Sequence, residues 1–199
     1  MTGAVAIEVL TGRAVEPAIA DVARLRIEVF RAFPYLYDGD LDYERNYLRK
    51  FLDLPESTVV VARDGTRTVG ASTALPMTNA GDEVMRPFVA KGLDPAAYYY
   101  FGESVLLPEY RGRGIGVAFF ARREERARSL GFRYATFCAV DRPPDHPRRP
   151  KDYVPLDEFW TKRGYVKQPD LVTTFEWKEI DEDRETPKPL TFWIKPLQP

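Results

Sequence analysis

The sequence predicts a mixed α/β fold around one sheet, because short apolar strands and amphipathic helices alternate along its 199 residues. The strand-like runs are rich in β-branched and aromatic residues, and the helical segments carry apolar stripes at a spacing of three to four residues. No repeat and no linker-like stretch interrupts this order. A chain of this length fits one domain, residues 1–199, better than two.

The first half of the chain predicts a strand, two helices and a hairpin. Pro17 is well placed in the first turn of a helix, and Asp64-Gly65 is a turn dipeptide between two β-branched runs. The predicted segments are a strand at 5–10, a helix at 17–31, a helix at 41–53, paired strands at 58–62 and 68–75, and a loop with a short helix at 81–92.

The second half predicts further strands around one long helix. Pro108 ends a strand because proline cannot donate to a sheet ladder, and Gly131 stops the helix. Five prolines make residues 141–157 a long loop without regular structure. The predicted segments are a strand at 98–107, a glycine-rich turn at 111–116, a helix at 117–130, a strand at 132–140, a short helix at 156–163, one or two strands at 165–178, a charged turn at 181–189 and a final strand at 190–197.

Composition and charge argue against several classes of protein. The formal net charge is −1 and the isoelectric point is near 6.0, whereas nucleic-acid-binding domains normally carry a basic excess. One histidine and one cysteine cannot supply a thiolate–imidazole zinc site, so we expect no metal. The lone cysteine suits a reducing compartment, and there is neither a basic leader nor a run of eighteen apolar residues. We therefore expect a cytoplasmic protein that does not bind nucleic acid or membranes.

The turn Arg111–Gly116 is the most informative segment for function. Closely spaced glycines let the backbone approach a ligand, and free amides at a helix N-terminus lie at the positive end of its dipole. Arg111 and Arg113 add positive charge, so the turn predicts a phosphate or pyrophosphate site. It lacks the Gly-Lys-Ser/Thr of a P-loop and the GxGxxG spacing of dinucleotide-binding folds, which disfavours a nucleotide-binding protein. The alternative is a turn that only packs the helix onto the sheet, although three glycines would weaken the helix start without structural benefit.

This segment resembles the pyrophosphate-binding motif of the GNAT superfamily of N-acetyltransferases. The family pattern is Arg/Gln-x-x-Gly-x-Gly/Ala, which Arg111, Gly114 and Gly116 match. The resemblance extends to the apolar strand before the turn and to Gly164-Tyr165 after a short aromatic helix. It covers most of the chain, most firmly residues 58–178. It implies a central mixed, mainly antiparallel sheet of about six or seven strands flanked by helices.

The resemblance also implies acetyl-CoA as the cosubstrate. In the family, the strand before the turn splays away from its neighbour, and the pantetheine arm of the cofactor lies in the gap. The end of this strand would contact the pantetheine, and the amides of the turn would hold the pyrophosphate. The implied cofactor-binding residues are Val105, Leu106, Leu107, Arg111, Gly112, Arg113, Gly114, Ile115 and Gly116.

Acetyl transfer to an amine calls for a base, because a lysine-like amine of pKa near 10.4 is mostly protonated at neutral pH, at a cost of about 4–5 kcal/mol. Glu103 is the first candidate catalytic residue: a carboxylate in an apolar strand needs a partner or a task, and many family members place a catalytic carboxylate on this strand. In the alternative interpretation, Glu103 faces solvent or pairs with an arginine such as Arg133. His146 in the proline-rich loop is a minor base candidate.

The proton donor for the leaving thiolate departs from the family pattern. Trp160 stands where many relatives carry a tyrosine, and an indole is not a useful acid. Tyr153 is the candidate catalytic residue that replaces it, provided that the proline-rich loop folds over the cofactor. Cys138 and Tyr165 are weaker alternatives. We expect Trp160 to pack against the cofactor or the sheet, and Cys138 to be buried packing.

Two loops are expected to wall the acceptor site, residues 33–40 and residues 141–157. Aromatic and acidic side chains of the first loop suit a cationic amine with an apolar body: Tyr35, Tyr37, Asp38 and Asp40. Basic side chains of the second loop suit an acceptor with a carboxylate or phosphate: Arg142, Arg148, Arg149 and Lys151. The sequence leaves this conflict open, and both loops can instead be solvated.

The sequence therefore predicts an N-acetyltransferase that moves an acetyl group from acetyl-CoA to a primary amine of a small molecule or peptide by direct attack. A different acyl group stays open, because the motif reads the CoA tail. The alternative function is a non-catalytic acyl-CoA-binding regulatory domain of the same fold, which the missing tyrosine favours. A homodimer is left open beside a monomer.

Overall fold

The computed structural model describes residues 4–197 and contains seven strands and five α-helices in that range. The strands are β1 Ala6–Leu10, β2 Thr58–Asp64, β3 Arg67–Pro76, β4 Tyr98–Leu106, β5 Tyr134–Val140, β6 Val166–Trp177 and β7 Thr186–Pro196. The helices are α1 Ile19–Phe30, α2 Leu41–Arg49, α3 Asp82–Ala90, α4 Ile115–Ser129 and α5 Asp157–Thr161. The first three residues, which belong to the segment expected to lack a leader, lie outside the described range.

The strands form one sheet in the order β1-β2-β3-β4-β5-β7-β6. Neighbouring strands pair antiparallel throughout, except that β4 and β5 pair parallel. The prediction of a mixed, mainly antiparallel sheet of six or seven strands flanked by helices is confirmed.

Several predicted boundaries in the first half are shifted, for local reasons. The segment from Pro17 does not open an α-helix, because Gly12–Ala18 is a 3-10 helix that contains this proline and α1 begins at Ile19. Proline lacks an amide proton and disfavours the α conformation of the residue before it, so regular helix begins only after it. Helix α2 starts as predicted, with Asp40 Oδ1 accepting a bond from the Tyr43 amide at 2.8 Å, but ends at Arg49.

The predicted turn at 181–189 is wrong in its second half, since β7 already begins at Thr186. The segment is predicted to be a charged turn, yet Pro187 and Pro189 pair with β6. The Pro189 carbonyl accepts a bond from the Asp141 amide and therefore points away from β6. In an antiparallel strand the nitrogen of a residue points to the same side as its carbonyl, so the missing N–H group of Pro189 removes no hydrogen bond to β6.

The core lies on both faces of β4. Phe101 packs against Phe120 of α4 with ring centroids 5.9 Å apart, whereas Tyr98 packs against Phe88 of α3 at 4.8 Å. Helices α3 and α4 therefore cover opposite faces of this strand. None of the helices within residues 4–197 combines the length and the apolarity that crossing a bilayer demands.

Candidate active site

Strands β4 and β5 separate at the centre of the sheet. They pair only over Tyr98–Tyr100 and Tyr134–Thr136, after which β4 stays with β3 and β5 stays with β7. The edge of β4 beyond Tyr100 therefore faces a gap instead of a strand. Its backbone groups on that side are available to a ligand.

A β-bulge in β4 lies beside this gap. Thr73 of β3 faces two residues of β4, Gly102 and Glu103. In a regular strand, residues 101 and 103 would share one face. Here Phe101 contacts α4, while Glu103 contacts α1, because the extra residue shifts the alternation. The bulge thus turns the Glu103 side chain to the same side of the sheet as Tyr100.

Arg123 of α4 stabilises the bulge from the opposite side. Its buried guanidinium donates to the carbonyl oxygens of Thr73 at 3.2 Å and Glu103 at 3.3 Å, and to Ser104 Oγ at 2.9 Å. A bulge disrupts the ladder locally, and a planar guanidinium with five N–H groups can satisfy several carbonyls at once. Burial lowers the pKa of Arg123 to about 10.

Glu103 belongs to a buried ion-pair network with Arg26 of α1 and Glu44 of α2. Arg26 Nη1 lies 2.6 Å from Glu103 Oε2, and Arg26 Nε pairs with Glu44 Oε2. Burial opposes the charge on Arg26, but the nearby Glu103, Tyr47 and Glu44 outweigh it and raise the pKa of Arg26. Arg133, the partner considered from the sequence, lies over the Tyr134 ring instead.

One oxygen of Glu103 is free. Glu103 is 7% exposed, and its Oε1 is buried without a hydrogen-bond partner among the described residues. A buried carboxylate oxygen without a donor is costly. This oxygen is therefore prepared to accept a proton or a hydrogen bond from a ligand.

A cavity of about 870 Å³ lies on the Glu103 side of the sheet. Its floor is formed where β4 and β5 separate, by Tyr100, Gly102, Glu103 and Cys138. Its walls carry aromatic side chains from α1, α2, the loop between them and β6: Phe30, Tyr35, Tyr37, Tyr43, Tyr47, Phe175 and Trp177. The volume is in the range of small-molecule sites.

The lining of the cavity is acidic. Four basic side chains line it: Arg26, Lys50, Lys178 and Arg184. Seven carboxylates also line it, giving a net charge of −3: Asp38, Asp40, Glu83, Glu103, Glu176, Asp183 and Glu185. Lys178 is paired with Asp38 at 2.9 Å, and burial lowers the pKa of Lys50. The electrostatic environment favours a cationic ligand.

Of the two loops expected to wall the acceptor site, only the first lines the cavity. Four predicted residues of the first loop line the cavity: Tyr35, Tyr37, Asp38 and Asp40. For the second loop the expectation is wrong, because no residue of 141–157 lines the cavity and residues 174–178 and 183–185 of the β6–β7 hairpin form that wall.

Three of the four basic side chains of residues 141–157 are bonded elsewhere in the protein. Arg142 donates to the Pro34 carbonyl at 2.7 Å and pairs with Glu179 at 2.6 Å. Arg148 pairs with Asp181, and the Arg149 guanidinium lies 4.9 Å from the centre of the Tyr153 ring. The groups that favoured an anionic acceptor in the sequence are thus directed away from the cavity.

The turn between β4 and α4 has an exposed backbone with glycine-specific conformations. Gly112 and Gly114 adopt φ angles of 74° and 79°, in the left-handed region. Gly114 is the N-cap of α4 and supplies no side-chain bond, so the first amides of the helix lack a capping partner. Two such glycines before an uncapped helix N-terminus can bind an anion.

The other residues of the turn have additional contacts. Arg111 Nε donates to the Leu106 carbonyl at 3.4 Å, and Arg113 Nη2 donates to the Glu109 carbonyl at 2.7 Å. Gly116 has a packing role that the sequence did not reveal, because a Cβ at this position would lie 3.3 Å from the Phe159 ring. Ile115 is buried beneath the turn.

Val105, Leu106 and Leu107 differ in what they present to the gap. The Leu107 amide donates to Val69 and its carbonyl accepts from Tyr110, both at 3.0 Å. The Val105 carbonyl also points towards β3, because its oxygen lies 3.0 Å from the position that a Cβ on Gly70 would occupy. Strand alternation directs the backbone groups of Leu106 to the gap.

Tyr153, the predicted proton donor, lies outside the cavity lining. Its ring packs against Phe33 with centroids 4.7 Å apart, and burial raises its pKa. Trp160 packs against Phe137 and Trp193, at 5.0 and 5.2 Å between ring centroids. The expectation that Trp160 is a packing residue against the sheet agrees with these contacts.

The three weaker candidates for proton transfer, Cys138, Tyr165 and His146, have different surroundings. Cys138 is buried, as expected, and its Sγ lies 3.2 Å from Tyr100 Oη at the cavity floor. Burial raises the pKa of the Cys138 thiol to about 12, which opposes thiolate formation near neutral pH. Tyr165 is buried and donates to Glu124 at 3.1 Å, and His146 Nδ1 accepts a bond from the Arg148 amide.

Sequence reasoning missed Arg26 and Arg123, the two arginines that position Glu103. Both carry a detectable signal. Arg26 lies four residues after buried Val22, and Arg123 lies four residues after buried Phe119, so each continues the buried stripe of its helix. A charged residue on such a stripe needs a partner. Within residues 4–197, no group of three or more histidine, cysteine or carboxylate side chains is arranged to hold a metal ion.

Comparison with known proteins relates this geometry to one family. Residues 22–150 match the model of the acetyltransferase (GNAT) family. No curated protein matches the chain by sequence.

Solved structures share the fold at low sequence identity. An N-acetyltransferase from Staphylococcus aureus Mu50 is 14% identical with a TM-score of 0.61, covering 98% of this chain and 100% of the other. The ribosomal-protein-alanine N-acetyltransferase of Brucella melitensis is 16% identical with a TM-score of 0.58, covering 96% and 99%. Salmonella typhimurium yncA, whose structure contains its cofactor acetyl-CoA, is 14% identical with a TM-score of 0.56, covering 98% and 95%.

Proposed function

Since the chain belongs to the GNAT acetyltransferase family, we propose that it transfers an acetyl group from acetyl-CoA to a primary amine by direct attack, with Glu103 as the general base. The observation that carries the assignment of the base is the free Oε1 of Glu103. Glu103 lines the floor of the cavity, next to the gap between β4 and β5. Arg26 engages the other oxygen and fixes the orientation of the carboxylate.

The residues around the gap fit acetyl-CoA. The uncapped N-terminus of α4 and the amides from Gly112 to Gly116 suit a pyrophosphate. The Leu106 carbonyl on the open edge of β4 accepts from Arg111, so the Leu106 amide is the group on this edge that suits an extended arm with amide groups. Arg111 and Arg113 add positive charge beside the turn. Of the strand residues, Leu106 is the backbone partner in this proposal, while Val105 and Leu107 shape the strand. When bound, acetyl-CoA supplies the activated acetyl group.

Glu103 removes the proton that the attacking amine must lose. An ammonium group at the cavity floor can donate to Oε1 directly or through one water molecule, and the negative lining attracts it there. The neutral amine that results is the nucleophile. Oriented side chains and a bound acceptor remove much of the entropic cost of bringing the two reactants together.

Tyr100 is the proton donor that we assign to the departing thiolate in place of Tyr153. Tyr100 is the last residue of β4 that pairs with β5, and it lines the cavity. Burial raises the pKa of Tyr100, which keeps its phenol protonated and able to donate. Tyr153 packs on Phe33 and is not part of the cavity lining.

The proposal extends to one catalytic domain, residues 1–199, in the cytoplasm. The cavity is lined by residues from Arg26 to Leu190, so the site draws on nearly the whole chain. General-base catalysis by a carboxylate does not call for a metal. The acceptor amine is the partner that the site requires.

Release of free thiol from acetyl-CoA in the presence of a panel of amines tests the proposal. We expect amine-dependent release by the protein, a loss of at least 100-fold in kcat for Glu103→Gln, and CoA affinity within about twofold of the parent. Glu109→Gln, an exposed carboxylate just after β4, is the matched control and should keep full activity. CoA binding without thiol release for any amine would instead support the non-catalytic alternative. Equal rates for Glu103→Gln and the parent would remove Glu103 from the mechanism.

A further inference from the structure

We propose that the acceptor is a small aliphatic amine that carries a second positive charge and no anionic group, as a diamine does. The inference rests on the proposed acetyl transfer and specifies its acceptor. One cationic end binds at the cavity floor beside Glu103, and the other binds among carboxylates at the mouth.

The floor provides the site for the reacting nitrogen. Glu103, Glu44 and Arg26 together carry a net charge of −1. Glu103 lines the cavity, and its Oε1 is buried and free of any partner in residues 4–197. A ligand N–H group satisfies this oxygen. An acceptor carboxylate in the same position would add a second unpaired negative charge to a buried site.

The mouth provides the site for the second cation. Glu83 of α3, Glu176 of β6, and Asp183 and Glu185 of the β6–β7 turn all line the cavity and are exposed. None of these four carboxylates is within 4.0 Å of a basic side chain in the part of the chain that the structure describes. They come from separate elements and converge on one opening, so their negative charge is available to a ligand.

The walls between floor and mouth suit an alkyl chain. Tyr35, Tyr47 and Trp177 present aromatic surface to the cavity, and the Trp177 Nε1 donates to the Tyr35 carbonyl at 3.0 Å, which holds this wall in place. Aromatic faces accept both methylene groups and cations. A chain of methylenes between two ammonium groups therefore matches the acidic floor, the aromatic walls and the acidic mouth of the cavity in turn.

The basic residues of the lining do not offset this preference. Arg26 is shared by two carboxylates, and Lys178 is paired with Asp38. The Lys50 ammonium lies 4.0 Å from the centre of the Tyr47 ring, and burial lowers its pKa. Arg184 stands between Asp183 and Glu185 in the sequence. An acceptor carboxylate would meet an excess of like charge at both ends of the cavity.

Three acceptors of matched length test the inference: 1,5-diaminopentane, pentylamine and 6-aminohexanoate. They share an alkyl chain and a primary amine and differ in the far end, which is cationic, apolar or anionic. Thiol release should give a kcat/KM for the diamine at least tenfold above that for pentylamine, and the lowest value for 6-aminohexanoate. The advantage of the diamine should shrink at high salt, because the mouth is exposed.

A variant of the mouth shows whether these carboxylates cause the preference. In the double variant Glu176→Gln/Asp183→Asn, the ratio of kcat/KM for the diamine to that for pentylamine should fall about tenfold. Asp170→Asn is the matched control: it removes an exposed carboxylate from the same strand, β6, but outside the cavity, and should leave the ratio unchanged.

The outcomes separate this inference from the proposed function. Acetylation of pentylamine or 6-aminohexanoate as fast as the diamine would overturn the inference and leave acetyl transfer standing. If no amine is acetylated, calorimetry with 1,5-diaminopentane decides: heat that the mouth variant abolishes supports the dication site, and no heat overturns it. Absence of CoA binding would count against the proposed function itself.

Discussion

Arg26 and Glu103 are in contact through one nitrogen and one oxygen, Nη1 and Oε2, at 2.6 Å, which leaves the second oxygen of the carboxylate without a partner among the described residues. The same guanidinium holds Glu44, so helices α1 and α2 jointly determine where the Glu103 carboxylate lies. The contact also explains how a carboxylate is tolerated in an apolar strand, because one of its oxygens is paired with a guanidinium.

Arg26→Lys should therefore impair catalysis more than binding of the cofactor. A lysine keeps the positive charge but not the planar fork that reaches two carboxylates, so we expect kcat to fall about tenfold to 100-fold and CoA affinity to stay within twofold. Unfolding in denaturant should show a smaller loss of stability than the roughly 3–5 kcal/mol that removal of the charge by Arg26→Met would cause. Arg24→Lys, at a half-buried arginine of the same helix that pairs with Glu28, is the control. Equal kcat for both lysine variants would show that the contact does not position Glu103.

The sequence predicted the fold and the glycine turn before α4 because both depend on local patterns. Strand periodicity, the Asp64-Gly65 turn and the glycines before α4 are signals that each span only a few consecutive residues. The surroundings of Glu103 depend on distant segments: Arg26 and Glu44 are 77 and 59 positions before it, and Arg123 is on the opposite face. The bulge that re-aims Glu103 is a property of pairing between β3 and β4, which periodicity along one strand does not contain.

Replacement of Gly102 by a residue with a side chain should lower the stability of the protein unless Thr73 is made smaller. A Cβ at this position would lie 2.6 Å from Thr73 Oγ1, so Gly102→Ala forces the bulge to shift. We expect a loss of about 1–3 kcal/mol in the free energy of unfolding, together with a lower kcat. Introduced into a Thr73→Ala background, the same change should cost at least about 1 kcal/mol less, because the two positions are coupled. Additive effects of the two substitutions would contradict the clash.

Tyr100→Phe and Tyr153→Phe separate the two proposed proton donors. Removal of the Tyr100 hydroxyl should lower kcat about tenfold to 100-fold with acetyl-CoA. Tyr153→Phe should stay within twofold of the parent, since its ring packs on Phe33 away from the cavity lining. Steady-state rates of thiol release measure both. A large loss for Tyr153→Phe alone would return the role to the residue that the sequence favoured.

The acid stability of the β6–β7 hairpin should depend on Glu182. Burial acts to raise its pKa, but hydrogen bonds from Thr186, from the Glu179 amide and from Lys188 outweigh it and lower the pKa of Glu182 to about 2, from an ordinary value of 4.5. Because the folded state lowers this pKa, the stabilisation is complete above pH 4.5 and is lost as the pH falls towards 2. The melting temperature of Glu182→Gln should thus lie below that of the parent at pH 7, and the difference should shrink between pH 4.5 and about 2. Glu125→Gln controls for loss of an exposed charge, and a pH-independent difference would contradict the assignment.

Binding of CoA should depend on the open space above Gly114. The glycine has a φ of 79° and a Cβ there would meet nothing within 4 Å, so a tryptophan side chain projects into free space over the turn. Gly114→Trp should abolish the heat of CoA binding in calorimetry, because the indole covers the uncapped amides at the start of α4. Gly131→Trp provides a control with the same backbone cost, since Gly131 lies just after the other end of α4 with a φ of 82° and equally open surroundings. Both variants should lose about 1–2 kcal/mol of stability from a non-glycine residue in the left-handed region, but only Gly114→Trp should lose CoA. Retention of CoA affinity by Gly114→Trp would show that the diphosphate does not bind at this turn.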